Sequence, residues 1–226
     1  MLKLISSMAT RQLLCELALK WQHMSGQLVS IESVGGVDAA KRVQAGEAFD
    51  GVVLASDAID KLIAGNFVVA GSRADLVQSS VAVAVKAGAL LPDISTEAAL
   101  RAAVEAAPTI GYSTGPSGVA LARLFDCWGL SALVQSRVVQ APPGVPVATL
   151  LARREVSLGF QQLSELMHLE GITIVGTLPA PVAINTIFSA GICAVSNQSQ
   201  ELERFLAFLG SREEANTKQQ HGMQAA

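Results

Sequence analysis

The stretch PTIGYSTGPSGVALARLFDCWG, residues Pro108 to Gly129, indicates how this chain folds. It starts as a short apolar strand, passes through a turn of hydroxyls and glycines, and continues with apolar residues at helical spacing. The first backbone N–H groups of a helix have no partner inside the helix, and the helix dipole favours negative charge there. Two interpretations of the turn stay open. Either Ser113, Thr114 or Ser117 caps the helix, or the hydroxyls and amides of the turn bind an anion.

The same order of strand, turn and helix recurs along the chain. The strands LKLISS, LVSIESV and FDGVVLAS each lead into a sequence with helical spacing. This order predicts an α/β fold with doubly wound parallel sheets, in which ligands bind beyond the carboxyl ends of the strands. The turns at those ends hold mostly hydroxyls, amides and glycines. The residues that we predict to bind the ligand are Ser6, Ser7, Met8, Thr10, Arg11, Gly35, Gly36, Ser56, Ser113, Thr114, Ser117, Gly118, Gly144, Val145, Gln161 and Gln162.

Local signals predict where several helices begin and how the chain ends. Ser56 or Asp57 is predicted to cap the helix after FDGVVLAS, and Thr96 stands in a segment that resembles a capping box. Pro116 suits the first turn of a helix. The segment SREEANTKQQHGMQAA predicts a last helix that is followed by a frayed end.

Composition argues against several classes of partner. The net charge is −3 and no basic stripe is present, so we expect no nucleic-acid partner. Glycines near Pro116 are not followed by the Lys-Ser/Thr of a nucleotide-binding loop. Cys15, Cys127 and Cys193 are scattered, and we interpret them as small buried side chains rather than as a zinc or disulfide framework. We therefore expect no cofactor and no metal.

The start of the chain bears on where the protein works. Strand character begins at Leu2, with no basic segment, apolar segment or cleavage site before it. We expect a cytoplasmic protein if Met1 is the natural start, and a periplasmic one if a signal peptide was removed. No run reaches membrane-spanning length without charged or turn residues, so we expect no membrane insertion.

Three segments point to a known family: VDAAKRVQAGEAFDGVVLASD, GPSGVALARLFDCWGL and REVSLGFQQLSE. They resemble the type II periplasmic binding fold, in particular the molybdate-binding proteins of ABC transporters. The resemblance implies two lobes that close on a ligand in a cleft, with residues 1–83 and 187–226 in lobe 1 and residues 84–186 in lobe 2. The implied crossovers between the lobes are Val81 to Val85 and Thr186 to Ile192.

The chain departs from this family where oxyanion-binding members place their ligand donors. Those members present a serine in each of the first two loops and a tyrosine late in the second lobe. Here Met8 falls near the usual ligand position, Gly35 and Gly36 occupy the second loop, and Gln162 takes the position of the tyrosine. A tetrahedral oxyanion would lose hydrogen-bond donors at these places, whereas Arg11 could clamp a carboxylate. We therefore expect a small organic anion, a di- or tricarboxylate, ahead of molybdate.

Two classes of function fit this expectation, and a third does not. The first is a cofactor-free isomerase of unsaturated carboxylates, since the aconitate isomerases resemble this fold and need a side chain that moves an allylic proton. Candidates for that base are Glu165 and Asp38, then His168 and Glu32. The alternative is a substrate-binding protein that delivers molybdate or another small anion to an ABC permease. The third class, an effector-sensing regulator, needs a DNA-binding module, for which strand one at Leu2 leaves no room before the fold.

Overall fold

The computed structural model describes residues 1–142 and 144–226, which divide into two compact units. The first unit comprises Met1–Ser79 and Thr186–Ala226, and the second comprises Ser80–Asn185. The chain passes from one unit to the other within strand β4 (Ala74–Lys86) and at the start of strand β9 (Asn185–Ile192).

Strands and helices alternate in the first unit. Strand β1 pairs in parallel with β2 and β3, while β9 pairs antiparallel with β3, and β10 pairs antiparallel with β4. The strands are β1 (Leu2–Ser7), β2 (Val29–Val34), β3 (Gly51–Ala55) and β10 (Met223–Ala225). The helices are a 3₁₀ turn (Met8–Thr10), α1 (Arg11–Ser25), α2 (Gly36–Gln44), α3 (Ser56–Ala64), α9 (Ser199–Gly210) and α10 (Ala215–Gln220).

Neighbouring residues of β1 face two different cores in this unit. Leu4 packs with Leu14 of α1 and Phe205 of α9, whereas Ile5 packs with Ile59 of α3. Successive side chains of a strand point to opposite faces of a sheet, so helices cover both faces here. This is the doubly wound arrangement that the order of elements predicted.

The second unit repeats the alternation around strand β5. Strand β5 pairs in parallel with β6 and β7, and β4 pairs antiparallel with β7 and β8. The strands are β5 (Ile110–Ser113), β6 (Val138–Ala141), β7 (Leu158–Gln162) and β8 (Ile172–Thr177). The helices are α4 (Glu97–Ala106), α5 (Pro116–Cys127), α6 (Ser131–Val134), α7 (Val147–Ala152) and α8 (Leu163–Leu166), with 3₁₀ turns at Gln135–Arg137 and Ala180–Val182.

The predicted α/β fold is confirmed, but the sheets are mixed rather than wholly parallel. Strands β1, β2 and β3 are parallel, as are β5, β6 and β7. The pairings of β4, β8, β9 and β10 are antiparallel. A strand–helix–strand order predicts parallel neighbours only where the helix returns the chain to the end of the sheet at which the previous strand began. The pairing of strands from distant parts of the chain is decided by packing.

Two of the predicted helix starts are confirmed and one is wrong. Thr96 precedes α4, and its Oγ1 accepts a hydrogen bond from the Ala99 N–H at 3.1 Å. Pro116 lies in the first turn of α5. Neither Ser56 nor Asp57 caps α3, because the helix begins at Ser56 itself and follows β3 directly. A residue that already has helical geometry cannot act as the cap.

The C-terminal segment is ordered, so the predicted frayed end is wrong. After α10 the chain forms β10, in which Met223 is opposite Ser79 of β4 and is almost fully buried. The prediction for the cysteines is also partly wrong. Cys193 is buried, but Cys15 and Cys127 are exposed on helices α1 and α5. An apolar residue type alone does not decide which face of a helix it occupies.

Among the described residues, no single helix is long and apolar enough to span a membrane. Helix α5 and the segment Ser131–Arg137 meet that test only when taken together, and the pair is bent by 119°.

Lys218 in α10 is a buried amine that should limit the stability of the first unit. Its side chain is 0% exposed, and its Nζ contacts the Ser211 carbonyl oxygen at 3.5 Å. Burial lowers the pKa of Lys218, while the negative charge of Glu214 acts in the opposite direction. Below its folded pKa the amine is charged in both states, and only the folded state carries the cost of burying that charge.

We expect Lys218→Met to stabilise the protein at pH 7 by about 1–2 kcal/mol, because it replaces a buried amine by an apolar side chain of similar length. The gain should shrink as pH rises, since the wild-type amine then loses its charge. Denaturant unfolding at several pH values measures this. Lys61→Met is the control, because the Lys61 side chain is 78% exposed. A variant no more stable than wild type would contradict the prediction.

Candidate functional site

Three parallel strands of the first unit end beside the starts of helices. Strand β1 leads through the 3₁₀ turn into α1, β2 leads into α2 at Gly36, and β3 leads into α3 at Ser56. The register places Ser7 opposite Val34, at the carboxyl end of both strands. Carboxyl ends of parallel strands lie at one edge of a sheet, so the free N–H groups of these helix starts gather at that edge. This is a favourable environment for an anion.

Ser7 is the predicted residue whose side chain is available at this edge. It is 7% exposed, and its Oγ has no hydrogen-bond partner within residues 1–142 and 144–226. A carbon atom added to Gly36 would lie 3.9 Å from the Ser7 Cβ, so the first turn of α2 lies close to the Ser7 side chain at the end of β1. A buried hydroxyl without a partner costs about 1–3 kcal/mol. The Ser7 hydroxyl is therefore a candidate ligand donor.

The neighbouring hydroxyls of the first unit are already engaged. Ser6 Oγ lies 2.8 Å from Ser33 Oγ and so joins β1 to β2, while Thr10 Oγ1 donates to the Ser7 carbonyl oxygen at 3.2 Å. These two side chains hold the turn together. Of the other predicted residues, Met8, Gly35, Gly36 and Ser56 are half-buried at the same strand ends, and Arg11 is exposed at the start of α1.

In the second unit, the turn of residues 113–118 leads into α5, which has no side-chain cap. The residue before the helix is Gly115, and none of the described side chains accepts a hydrogen bond from the first turn. Ser117 is 5% exposed, and its Oγ lies 3.3 Å from Ser113 Oγ, while Thr114 is exposed. The capping interpretation therefore fails for this helix, and the anion interpretation stays a prediction.

Gly118 is explained by packing within the second unit. A side-chain carbon at this position would lie 1.8 Å from the Ser113 carbonyl oxygen and 3.0 Å from the Tyr112 ring. Only a residue without a side chain lets α5 approach the end of β5 so closely. The structure thus gives Gly118 a role that does not involve a ligand.

The late turns of the second unit contain a buried hydrogen-bond chain. Gln161, in β7, is 2% exposed. Its Oε1 accepts from the Val147 N–H at the start of α7, at 2.8 Å, and its Nε2 donates to Glu165 Oε1 at 2.9 Å. Gly144 and Val145 lie just before α7, and Gly144 has a φ of +77°. Gln162 is also buried in β7.

The carboxyl of Glu165 has the properties of a proton-transfer group. Burial raises the pKa of Glu165 to about 7, and the hydrogen bond from Gln161 acts in the opposite direction. The other candidates for a base differ from it. Asp38 and His168 are exposed, and Glu32 forms an ion pair with Arg42 that lowers the pKa of Glu32. A pKa near neutrality in a partly buried carboxyl is a common mark of a functional site.

The sequence predicts a role for Gln161 and for Glu165 separately, but not their contact with each other. The four-residue spacing between them was the available signal, but it crosses the boundary between β7 and α8. The contact of Gln161 with Val147 spans 14 residues and has no sequence signal. Among the residues that the structure describes, no group of three or more His, Cys, Asp or Glu side chains is arranged to hold a metal ion.

Comparison with known proteins places the chain in a family. The family described as bacterial extracellular solute-binding protein matches residues 2–224. The chain belongs to this family. An aconitate isomerase from a Pseudomonas species is 37% identical to this chain over 185 residues. These are 80% of this chain and 70% of that protein.

Solved structures of other proteins share the fold of this chain. The periplasmic molybdate-binding protein of Azotobacter vinelandii superposes with a TM-score of 0.81 at 20% identity, over 99% of this chain and 98% of that one. A tungstate-binding protein from Desulfovibrio alaskensis gives a TM-score of 0.68 at 16% identity, over 96% and 92% of the two chains. The resemblance to the type II periplasmic binding fold that the sequence suggested is thereby confirmed. At these identities the likeness concerns the fold.

Proposed function

We propose that this chain binds a small di- or tricarboxylate and acts as a cofactor-free isomerase that moves an allylic proton. The observation that carries the proposal is Glu165, a partly buried carboxyl with a pKa of about 7. A general base works best when its pKa lies near the pH at which it operates. The 37% identity to an aconitate isomerase supports the same chemistry.

The proposed reaction conserves all atoms and electrons. The carboxylate of Glu165 removes a proton from the CH₂ carbon next to the C=C bond of an unsaturated tricarboxylate. The electron pair left behind forms a new C=C bond to the central carbon, and the old C=C bond opens. The former alkene carbon then takes up the proton, so the product is an isomer of the substrate. Substrate carboxylates help to delocalise the charge of the intermediate, and the step needs no co-reactant.

The strand ends of the first unit are proposed to hold a carboxylate of the ligand. The free N–H groups at the starts of the 3₁₀ turn, α2 and α3 provide neutral donors, and Ser7 adds a hydroxyl. Membership in the solute-binding family supports the binding of a small anion. Arg11, which is exposed one turn away, is proposed to attract the anion to this edge.

We expect Ser7→Ala to weaken binding of aconitate by about 0.5–1.5 kcal/mol, or up to about 3 kcal/mol if the hydroxyl donates to a charged carboxylate. The stability of the free protein should not fall, because the substitution removes a buried hydroxyl without a partner. Titration calorimetry and thermal unfolding measure the two quantities.

Ser33→Ala is the matched control for Ser7→Ala. It removes the partner of Ser6 Oγ, so stability should fall while the affinity for aconitate stays the same. A Ser7→Ala protein that loses stability but keeps its affinity would show that the hydroxyl is structural.

The second candidate function is a binding protein that delivers molybdate or another small anion to an ABC permease. The family description as an extracellular solute-binding protein favours it, and proteins that bind molybdate and tungstate share the fold. This function predicts ligand binding without turnover, and a protein located outside the cytoplasmic membrane. Cell fractionation of the native protein tests that location against the cytoplasmic one, which we expect if Met1 is the natural start.

The decisive experiment compares turnover and binding for the two kinds of anion. The protein is incubated with cis- or trans-aconitate, and proton NMR follows their interconversion. Thermal shift is measured with both aconitates, citrate, molybdate and tungstate, since a ligand at 100 times its Kd adds about 2.7 kcal/mol of stability. We expect interconversion and stabilisation by the tricarboxylates. Stabilisation by molybdate alone, without interconversion, would replace the isomerase by the transport function.

A further inference from the structure

We propose that Gln161 is a positioning residue that aims the Glu165 carboxyl by bridging it to the first residue of α7. The inference rests on the proposed function only in giving Glu165 the role of the base. The bridge itself consists of two hydrogen bonds, from Val147 N to Gln161 Oε1 and from Gln161 Nε2 to Glu165 Oε1.

Val147 decides which way the Gln161 amide faces. The backbone N–H of Val147 can only donate, so it must meet the oxygen of the amide. The amide nitrogen is then directed at Glu165, where it can only donate. A flipped amide would place a donor against the Val147 N–H and an oxygen against the carboxylate, and both contacts would be repulsive. The donor that faces Glu165 is therefore determined by the backbone of α7.

The start of α7 is itself held tightly against the sheet. A side-chain carbon at Gly159 of β7 would lie 2.9 Å from Val147 Cγ1 and 2.7 Å from Leu151 Cδ1. A carbon at Gly111 of β5 would lie 3.2 Å from the same Val147 atom. These two glycines let α7 pack directly on β5 and β7, and Val147 is fully buried. Gln161 thus connects Glu165 to a rigid part of the unit.

The bridge opposes the effect of burial on Glu165. Burial raises the pKa of the carboxyl, the Gln161 hydrogen bond lowers it, and no charged side chain contributes to the shift among the described residues. His168, the next titratable residue along the chain, is exposed. Without the donor, burial would act alone, and the carboxyl would be largely protonated at neutral pH. A protonated carboxyl cannot accept a proton from the substrate.

Two substitutions test the bridge. Gln161→Met removes both hydrogen bonds at nearly constant size. Gln161→Glu keeps an acceptor for the Val147 N–H but places a second carboxyl oxygen next to Glu165, which favours the protonated form. It therefore tests the inference even if Gln161→Met fails to fold. Gln140→Met is the control, because Gln140 is exposed on the edge strand β6.

The first measurement is a ¹³C NMR titration of the Glu165 carboxyl, and the second is the pH dependence of kcat with aconitate. In both variants we expect the pKa of Glu165 in the NMR titration to rise by about one to two units, the effect of losing a hydrogen bond to a charged group. The pH below which kcat falls should rise by the same amount. The lower limit corresponds to roughly fivefold lower kcat at pH 7, recovered at higher pH, because about half of the wild-type carboxyl is ionised at pH 7. Gln140→Met should leave both unchanged.

An unshifted Glu165 titration in both Gln161 variants overturns the inference, whatever happens to their stability. The titration needs no substrate. It therefore separates the two claims: a shifted titration in a protein that does not interconvert aconitate supports the bridge and rejects the isomerase.

Discussion

Glu165→Gln is expected to lower kcat for aconitate interconversion by about 10²–10⁴-fold, the usual contribution of a general base. The amide has nearly the same shape as the carboxyl and can still accept the hydrogen bond from Gln161 Nε2. It cannot take up a proton. Turnover should therefore fall while the side chain keeps its place. The wild-type kcat should rise with pH through about 7, the pKa of Glu165, because the base must be ionised.

Stability measurements check that such a loss is not due to unfolding. The folded pKa of Glu165 is raised, so between the ordinary value of 4.5 and about 7 the folded state binds more protons than the unfolded state. The contribution of this group to stability therefore decreases as pH rises through that interval and is constant above it. Glu165→Gln removes the buried charge, so the variant should be at least as stable as wild type at pH 8.

Glu170→Gln provides the matched control for Glu165→Gln. Glu170 is an exposed glutamate in the segment that follows α8, and we expect its substitution to change neither kcat nor stability. If Glu165→Gln retains kcat within about threefold of wild type, Glu165 is not the base and the isomerase proposal loses the observation that carries it.

Gly118→Ala is expected to destabilise the protein by about 3 kcal/mol or more, at the upper end of overpacking effects. The added carbon would lie 1.8 Å from the Ser113 carbonyl oxygen, which belongs to the backbone and cannot rotate away. The start of α5 would have to move off the end of β5. Denaturant unfolding at constant m-value measures the change.

Gly210→Ala separates this effect from the general cost of replacing glycine in a helix. Gly210 is the last residue of α9, and a carbon added there meets no atom of the described residues within 4 Å. We expect that substitution to be neutral or to stabilise by about 0.5–1 kcal/mol. Equal stability of the two variants would show that the close approach at Gly118 can relax at little cost.

The sequence allowed the fold to be predicted because its signals are local and repeated. Apolar spacing marks β1, β2 and β3 and the helices between them, and glycine, serine and proline mark their turns. The same signals placed Ser7, Gln161 and Glu165 in turns or next to them. The antiparallel pairing of β10 with β4 had no such signal, because it joins residues from opposite ends of the chain.

The sequence by itself therefore determined the type and order of the secondary-structure elements, the family resemblance and the set of polar residues at the strand ends. Only the tertiary structure decided which of those residues are available. Ser6 is engaged with Ser33, 27 residues away, while its neighbour Ser7 has no described partner. Gln161 is tied to Val147 and Glu165. The physical reason is that hydrogen-bond partners and burial depend on segments brought together by packing, and these also set the pKa of a carboxyl such as Glu165.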